Sequence, residues 1–223
     1  MNASDYVSQI EFFDKLTDDE KRLVKENVSI RSYNADEVIH SHNGQCVGLI
    51  YVISGGIRVS VISEEGRVLT LYKLGAGDTC VISAACVLRE ITLESAMTAI
   101  GDTSVLILNS RTVSAIVKQN TEIRCYCYEI ATARFSAAMF VLQEIILTRF
   151  DVRLARFLLE STRRAGSNAL TMTQEEIASE VNSAREVVAR MLRQFVLEEL
   201  VELKRGTVII KDPVRLESLA GCE

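Results

Sequence analysis

The stretch that leaves this chain least freedom is TQEEIASEVNSAREVVARMLR, residues 173–193. Thr173 followed three residues later by Glu176 has the spacing of a capping box, in which a hydroxyl and a carboxylate each satisfy a backbone N–H at a helix start. The box opens a two-turn helix. Its Ile177 and Val181 face inward, and its Ala178 is small enough for a close helix crossing. Asn182 then stands where the chain must turn sharply, through the left-handed backbone that Gly takes best and Asn next best. Ser183 and Glu186 repeat the capping-box spacing and are expected to open a second helix. The resulting order is helix, tight turn, helix.

The second helix sorts its residues by face. At about 100° per residue from Arg185, the residues Ala189, Arg193, Glu186 and Arg190 fall between 0° and about 140°. Val187, Met191, Phe195, Val188 and Leu192 fall between about 200° and 340°. One face is apolar and suits burial; the other carries three Arg, one Glu and a small Ala. A major groove accepts such a face, because Arg grips guanine O6/N7 with two hydrogen bonds and Glu accepts from cytosine N4. An ordinary amphipathic surface helix has the same split, so the residues after the helix carry the distinction. Leu200–Leu203, a Lys204-Arg205-Gly206 turn and Thr207–Ile210 read as a two-stranded ribbon, and helix-turn-helix plus ribbon is a winged helix. The expected DNA contacts are Thr173, Gln174, Ser183, Arg185, Glu186, Ala189, Arg190 and Arg193, with Lys204 and Arg205 of the wing on phosphates.

Upstream the period changes. After a short helix announced by Thr17 and Glu20, short strands are predicted at Val28–Tyr33, Glu37–His40, Leu49–Ile53, Ile57–Val61, Val68–Tyr72, Ile91–Thr98 and Ser104–Leu108. Turn signals separate them at Gly55-Gly56, Glu64-Glu65-Gly66, Gly75–Asp78 and Gly101-Asp102. Short strands at near-even spacing predict an antiparallel barrel or jelly roll. From 114 to 148 the pattern is helical, and Ala131, Phe135, Ala138, Leu142 and Ile145 share one stripe about 100° wide. That stripe either packs on the barrel or, as its heptad spacing favours, forms a homodimer seam. A further helix is expected from Thr148, capped with Asp151. The predicted fold is α+β. It has an antiparallel β jelly roll over 1–113, a long dimerisation helix over 114–148 and a winged helix-turn-helix domain over 149–223. Charge divides in the same place: 13 Lys/Arg against 18 Asp/Glu in residues 1–148, then 11 against 9 in residues 149–211. The acidic front half and mildly basic back half are read as separate domains.

A strand-rich front, a long central helix and a winged helix carrying NSAREVVARML together resemble the CRP/FNR superfamily of bacterial transcription regulators, over about residues 8–220. RLARFLLE and GLIYVISGGIRV are further matching stretches. The family's Arg–Glu pair, with a second Arg four residues after the Glu, is met by Arg185, Glu186 and Arg190. Ala184 departs from it, standing where the family often has Ser or Thr, and Ser183 is the neighbour that would replace the lost phosphate contact. The resemblance implies an effector-sensing barrel of the cyclic-nucleotide-binding type, a homodimer joined by the long helix, a palindromic site on double-stranded DNA, and RNA polymerase as a partner.

The resemblance also bears on the signal. Members that bind cyclic nucleotides carry a Gly-Glu pair and an Arg-Ser/Thr pair after the "GD" turn. Here Val81-Ile82 and Glu94-Ser95 occupy those places. Neither cyclic AMP nor cyclic GMP is expected to bind, and the cofactor and signal are left unidentified. The altered segment and the long helix place Cys80, Ile82, Ser83, Cys86, Glu94 and Tyr128 as the effector-pocket residues. Cys80 and Cys86 also offer an alternative, a thiol- or metal-based redox sensor. Cys125 and Cys127 point about 200° apart on a helix and hardly share a metal; buried structural thiols are the simpler reading, and no metal site is expected. Two His on one strand, His40 and His42, fall short of the two or three His plus carboxylate of a metal-dependent barrel enzyme. No catalytic triad is visible, so an enzyme is not expected. A winged helix that binds a protein instead of DNA is the remaining alternative. Residues 1–16 carry Asp5, Glu11 and Asp14 rather than a basic-then-apolar leader. No apolar stretch reaches the ~18 uncharged residues of a membrane span. A cytoplasmic protein away from membranes is expected.

Overall fold

The computed structural model describes residues 3–40, 47–64, 66, 68–81 and 95–221. They fall into a first compact unit, residues 1–67 with 71–139, and a second, residues 68–70 with 140–223.

The first unit is built on an antiparallel sheet. The strands of that sheet are β1 Val28–Tyr33, β2 Val38–His40, β3 Leu49–Ile62, β4 Val68–Gly75 (its first three residues counted with the second unit), β5 Thr79–Cys80 and β6 Ala96–Leu108. Their order is β1-β6-β3-β4, with β2 also on β6 and β5 also on β3. Strand side chains alternate between faces. Leu49 and Tyr51 of β3 join Leu106 and Leu108 of β6 in a buried cluster with the helices. Ile50, Val52, Ile57 and Val59 are buried as well, so both faces of this central strand are covered and it reads as a continuous apolar run.

Two expected turns are bends inside strands. Gly55-Gly56 does not separate two strands but sits within the 14-residue β3, and Gly101-Asp102 sits within β6. The β3–β6 ladder jumps from Ser54↔Ser104 to Gly56↔Ile100, so both glycine sites fall at one irregularity. Gly55 has φ 76°, and a Cβ there would collide with the Asp102 carbonyl oxygen. Thr103, 1% exposed, fastens the bend: its hydroxyl donates to Gly56 O at 2.9 Å and accepts from Gly56 N–H at 3.2 Å. The start of the expected strand at Ile91–Thr98 lies outside the described residues, and its described part continues directly into β6.

The helices that begin in this unit are α1 Ala3–Val7, α2 Asp18–Glu26, α3 Ser110–Gln119 and α4 Thr121–Leu147, the last with residues 140–147 in the second unit, and a 3-10 turn lies at Phe13–Lys15. The Thr17–Glu20 capping box is present. The expected single helix over 114–148 is two helices, because Asn120 interrupts it. Its backbone ends α3, and its side-chain oxygen accepts from Glu122 N–H and Ile123 N–H at 3.0 and 3.2 Å, which starts α4. Ile123, Tyr126, Cys127 and Ala131 of α4 enter the core beside Phe12, whose ring lies 5.4 Å from that of Tyr126. By length and composition alone α4 is apolar enough to cross a membrane, though Arg134 and Glu144 interrupt its apolar run.

The stripe expected as a dimer seam divides. Ala131 and Ala138 are buried within the single chain, Leu142 and Ile145 are half-buried, and Phe135 is 65% exposed. The exposed apolar residues of α4 are instead Tyr128, Phe135, Met139, Phe140, Ile146 and Leu147. Periodicity identified an apolar helix, but burial within the single chain leaves a different set of its apolar residues exposed.

The second unit comprises α5 Phe150–Ala165, β7 Ala169–Thr171, α6 Gln174–Glu180, α7 Arg185–Leu197, β8 Val201–Lys204, β9 Thr207–Ile210 and α8 Pro213–Ala220. Leu154, Leu158, Ile177, Val188, Leu192, Phe195 and Leu216 form its core. Burying each Leu side chain contributes about 1.5–3 kcal/mol. The ribbon has three strands, ordered β7-β9-β8, not the expected two; three residues of β7 are too few to show a period. The Thr148–Asp151 capping box does not form. Arg149 is the N-cap residue and gives no side-chain cap. Thr148 Oγ1 donates to Glu144 Oε1 one turn back at 3.4 Å, and Asp151 pairs with Arg149 at 2.6 Å.

Candidate nucleic-acid interface

The residues expected to meet DNA all lie in the second unit, and local chemistry sets each one. Thr173 starts α6 with both halves of its capping box: its hydroxyl accepts from Glu176 N–H at 3.2 Å, and Glu176 Oε2 accepts from Thr173 N–H at 2.6 Å. The Thr173 backbone bond, then the hydroxyl, hold the Glu176 carboxyl below its usual range. Thr173 keeps its hydroxyl proton for an outside acceptor. Asn182 makes the turn with φ 52°. Ser183 N–H donates to Ala178 O at 2.9 Å, which closes it.

The second expected box, Ser183 with Glu186, does not form. Ala184 is the N-cap residue of α7, one position later, and a methyl side chain caps nothing. The initial N–H groups of α7 therefore receive no side-chain acceptor from their cap residue.

The split of α7 is as the sequence indicates. Val188, Leu192 and Phe195 are buried; Val187 and Met191 are half-buried; Arg185, Glu186, Arg190 and Arg193 are exposed, with half-buried Ala189 among them. Gly206, at φ 70°, turns the wing and leaves Lys204 and Arg205 exposed at its tip. Thr173, exposed, and Gln174, half-buried, share with Arg185, Lys204 and Arg205 the lining of one open depression of about 560 Å³. The structure thus brings the start of α6, the start of α7 and the wing to a common concavity.

Among the described residues, Arg185, Arg190, Arg193 and Arg205 enter no ion pair, while Lys204 lies 3.5 Å from Glu202. Glu202 also reaches Lys211 at 3.8 Å. No motif in the sequence singles Glu202 out, although two residues apart on a strand means one face with Lys204. The exposed side of this unit therefore presents cations that the protein itself leaves largely unneutralised.

The expected effector residues are only partly described. Ile82, Ser83, Cys86 and Glu94 lie outside the described residues, as does His42. Cys80 is fully buried in β5, opposite Ile50 on β3, whereas Tyr128 is 40% exposed. Cys125 is exposed; Cys127 is buried, and burial pushes its thiol up to about 11. His40 is half-buried, and burial lowers its pKa. Among the described residues no group of His, Cys, Asp and Glu is placed to hold a metal ion.

Comparison with known proteins agrees with this geometry. Residues 152–219 match the Crp-like helix-turn-helix domain, and residues 30–120 match the cyclic nucleotide-binding domain. A crystal structure from Eubacterium rectale, described as a CRP/FNR-family transcriptional regulator, is 37% identical, superposes with a TM-score of 0.87, and is matched over 96% of this chain and 99% of that one. The cyclic AMP receptor protein of Thermus thermophilus is 25% identical over 77% of this chain and 79% of its own. The CRP-like cAMP-activated global transcriptional regulator of Mycobacterium tuberculosis is 25% identical over 75% of this chain and 77% of its own. With these matches spanning both units, the chain belongs to the CRP/FNR superfamily of transcription regulators.

Proposed function

We propose that this protein binds a palindromic DNA site as a homodimer and regulates transcription there, under a signal other than a cyclic nucleotide. The observation that carries the reading is the exposed face of α7: three guanidinium groups and one carboxylate around a small Ala189, none of the guanidinium groups engaged in an ion pair among the described residues. Arg185 and Arg190 read guanine, and Glu186 reads cytosine N4–H. Thr173, Ser183, Arg193 and the wing residues Lys204 and Arg205 contact phosphate and set the register. The uncapped start of α7 suits an anion, since the N–H groups and the helix dipole both favour negative charge there. DNA thus supplies the acceptor that Ala184 does not.

The two-fold symmetry of a palindrome requires two copies of the winged helix about one DNA turn apart. Exposed Tyr128, Phe135, Met139 and Ile146 on α4 recur at intervals of seven, four and seven residues. That is the spacing by which two helices pair. A regulator of this kind acts in the bacterial cytoplasm, with RNA polymerase as its downstream partner, and carries out no enzymatic step.

The test is selection from random double-stranded DNA, with a salt titration on the selected sequence. The expected result is an inverted repeat whose affinity falls steeply with salt, each neutralised phosphate adding about 0.9 to the log–log slope. Failure to enrich any repeat, or a flat slope, sinks the reading and favours a protein partner for the winged helix.

A further inference from the structure

Ser32, Ser104 and Ser54 form one rung across three neighbouring strands of the first unit. Ser32 of β1 lies opposite Ser104 of β6, and Ser104 lies opposite Ser54 of β3. Directly opposite residues share a face, so three hydroxyls stand in a row where strands favour Val, Ile or Thr. Little of their hydrogen-bonding capacity is used. Ser32 Oγ and Ser104 Oγ share one bond at 3.1 Å. The Ser54 hydroxyl and the Asp102 carboxylate have no partner among the described residues.

The three serines line a depression of about 270 Å³ together with Tyr33, Asn34 and Asp102. Glu37 Oε2 fixes Asn34, accepting from its N–H at 2.9 Å and from its Nδ2 at 3.3 Å. The carboxamide oxygen of Asn34 stays open as an acceptor. The hydroxyl of Thr103 is engaged with the Gly56, Ile100 and Gly101 carbonyls, so the bend that carries Ser54 and Asp102 is held from inside the sheet.

We propose that this depression binds a neutral polyhydroxylated molecule the size of one sugar ring, through the serine hydroxyls, the Asn34 carboxamide and the Asp102 carboxylate. Charge and atom type select the class. No Lys, Arg or His lines the depression, so phosphates and carboxylic acids find no counter-charge there. No Val, Leu, Ile, Met or Phe lines it either, which excludes a lipid chain. Asp102 is its single carboxylate, and among the described residues no group of His, Cys, Asp and Glu is placed to hold a metal ion. An ammonium brings donors only, so it pairs with Asp102 and leaves the serine O–H groups unmet; one exposed carboxylate also attracts an ion only weakly. A sugar hydroxyl both donates and accepts, which matches serines that do both and a carboxylate that accepts. The half-buried Tyr33 adds a ring with an apolar body, suited to the C–H face of a sugar. None of these residues stands at the places of the family's nucleotide pairs, Val81-Ile82 and Glu94-Ser95, or among the proposed DNA contacts, so the test needs no DNA.

The full chain, labelled with 15N, is titrated at constant ionic strength with methyl α-D-glucopyranoside, methyl α-D-galactopyranoside and myo-inositol. Cyclohexanol serves as the ring with one hydroxyl, ethylammonium as the cation and inorganic phosphate as the anion. The amide resonances of Ser54, Asp102 and Ser104 are expected to move saturably with at least one of the three polyols and with none of the controls. Asp102→Ala should weaken that polyol about tenfold, the loss of one hydrogen bond to a charged acceptor, and Ser54→Ala about fivefold. Both residues are exposed, so the melting temperature should hold in each variant and the loss reads binding rather than folding. Resonances that ignore all three polyols overturn the proposal, as does a midpoint unchanged in both variants. Ethylammonium or phosphate binding tighter than every polyol overturns the ligand class.

Discussion

Arg190 and Lys204 carry the same charge but are proposed to serve different ends, because one stands on the exposed face of α7 and the other on a wing tip. Arg190→Ala should cost about 1–3 kcal/mol and relax preference at one base position. Lys204→Ala should weaken all sequences alike and lower the salt slope by about one, checked by binding to the selected site and to single-base variants. At the same scale, the proposal that cyclic nucleotides do not bind rests on the sequence, which has Glu94 and Ile82 at the places of the family's Arg and Glu. A carboxylate about 4 Å from a phosphate costs on the order of 1 kcal/mol in water and ~4 at a protein surface, and Ile82 has no acceptor for a ribose hydroxyl. Millimolar cyclic AMP or cyclic GMP should leave melting temperature and DNA affinity unchanged; a saturable shift at micromolar concentration would contradict this. Residue identity made the α7 face legible in the sequence. It did not reveal that the cap falls on Ala184, since Ser183 and Ala184 differ there only in which one the Asn182 turn delivers to the helix start.

Helix ends and strand bends belong to the element scale. Thr17→Ala removes the α2 cap and should cost about 1 kcal/mol by denaturant titration. Burial raises the Glu20 carboxyl, but hydrogen bonds from Thr17 N–H, the Asn120 amide and the Thr17 hydroxyl outweigh it and leave the pKa below the ordinary value. A depressed folded-state pKa means stabilisation that is complete above the unfolded value, about 4.3, and lost as pH falls through the folded one. The stability gap between the natural chain and Glu20→Gln should therefore narrow on acidification below about pH 4. Gly55→Ala should destabilise the sheet without changing its partners, because the bend requires φ 76° and leaves no room for a Cβ against Asp102. Sequence signals located this bend but misnamed it. A Gly-Gly pair marks a departure from regular backbone, and only the opposite strand decides whether that departure is a turn or a bulge. Asn120 was missed for the converse reason, since it is neither Gly nor Pro and acts through its side chain.

At the scale of the whole molecule, the exposed stripe of α4 is the feature one chain leaves unfinished. Phe135 is 65% exposed, so Phe135→Glu leaves the single chain's own core untouched. In a symmetric pair of parallel helices it sets two carboxylates face to face, and desolvating them costs several kcal/mol. Light scattering should then report the mass of one 24.8 kDa chain, and affinity for the palindrome should fall with it. A variant that remains dimeric would move the interface off this helix.

The division into a β domain and a winged helix was readable in the residues because period, turn chemistry and charge all change together along the chain. Arg185, Glu186 and Arg190 were readable because a single helix, at 100° per residue, carries its own geometry. What required tertiary structure is everything decided by a neighbour distant in sequence. The β3–β6 register made one bulge of two glycine sites. Core packing buried Ala131 and left Tyr128 and Met139 among the exposed apolar residues of α4. Packing alone placed Arg134 on Tyr72 and Asp78, more than fifty residues away in sequence. Local hydrogen bonds and propensities act over three or four residues, so they are written in the sequence. Burial and pairing act through space, and there the fold determines which face, which cap and which charge is left over.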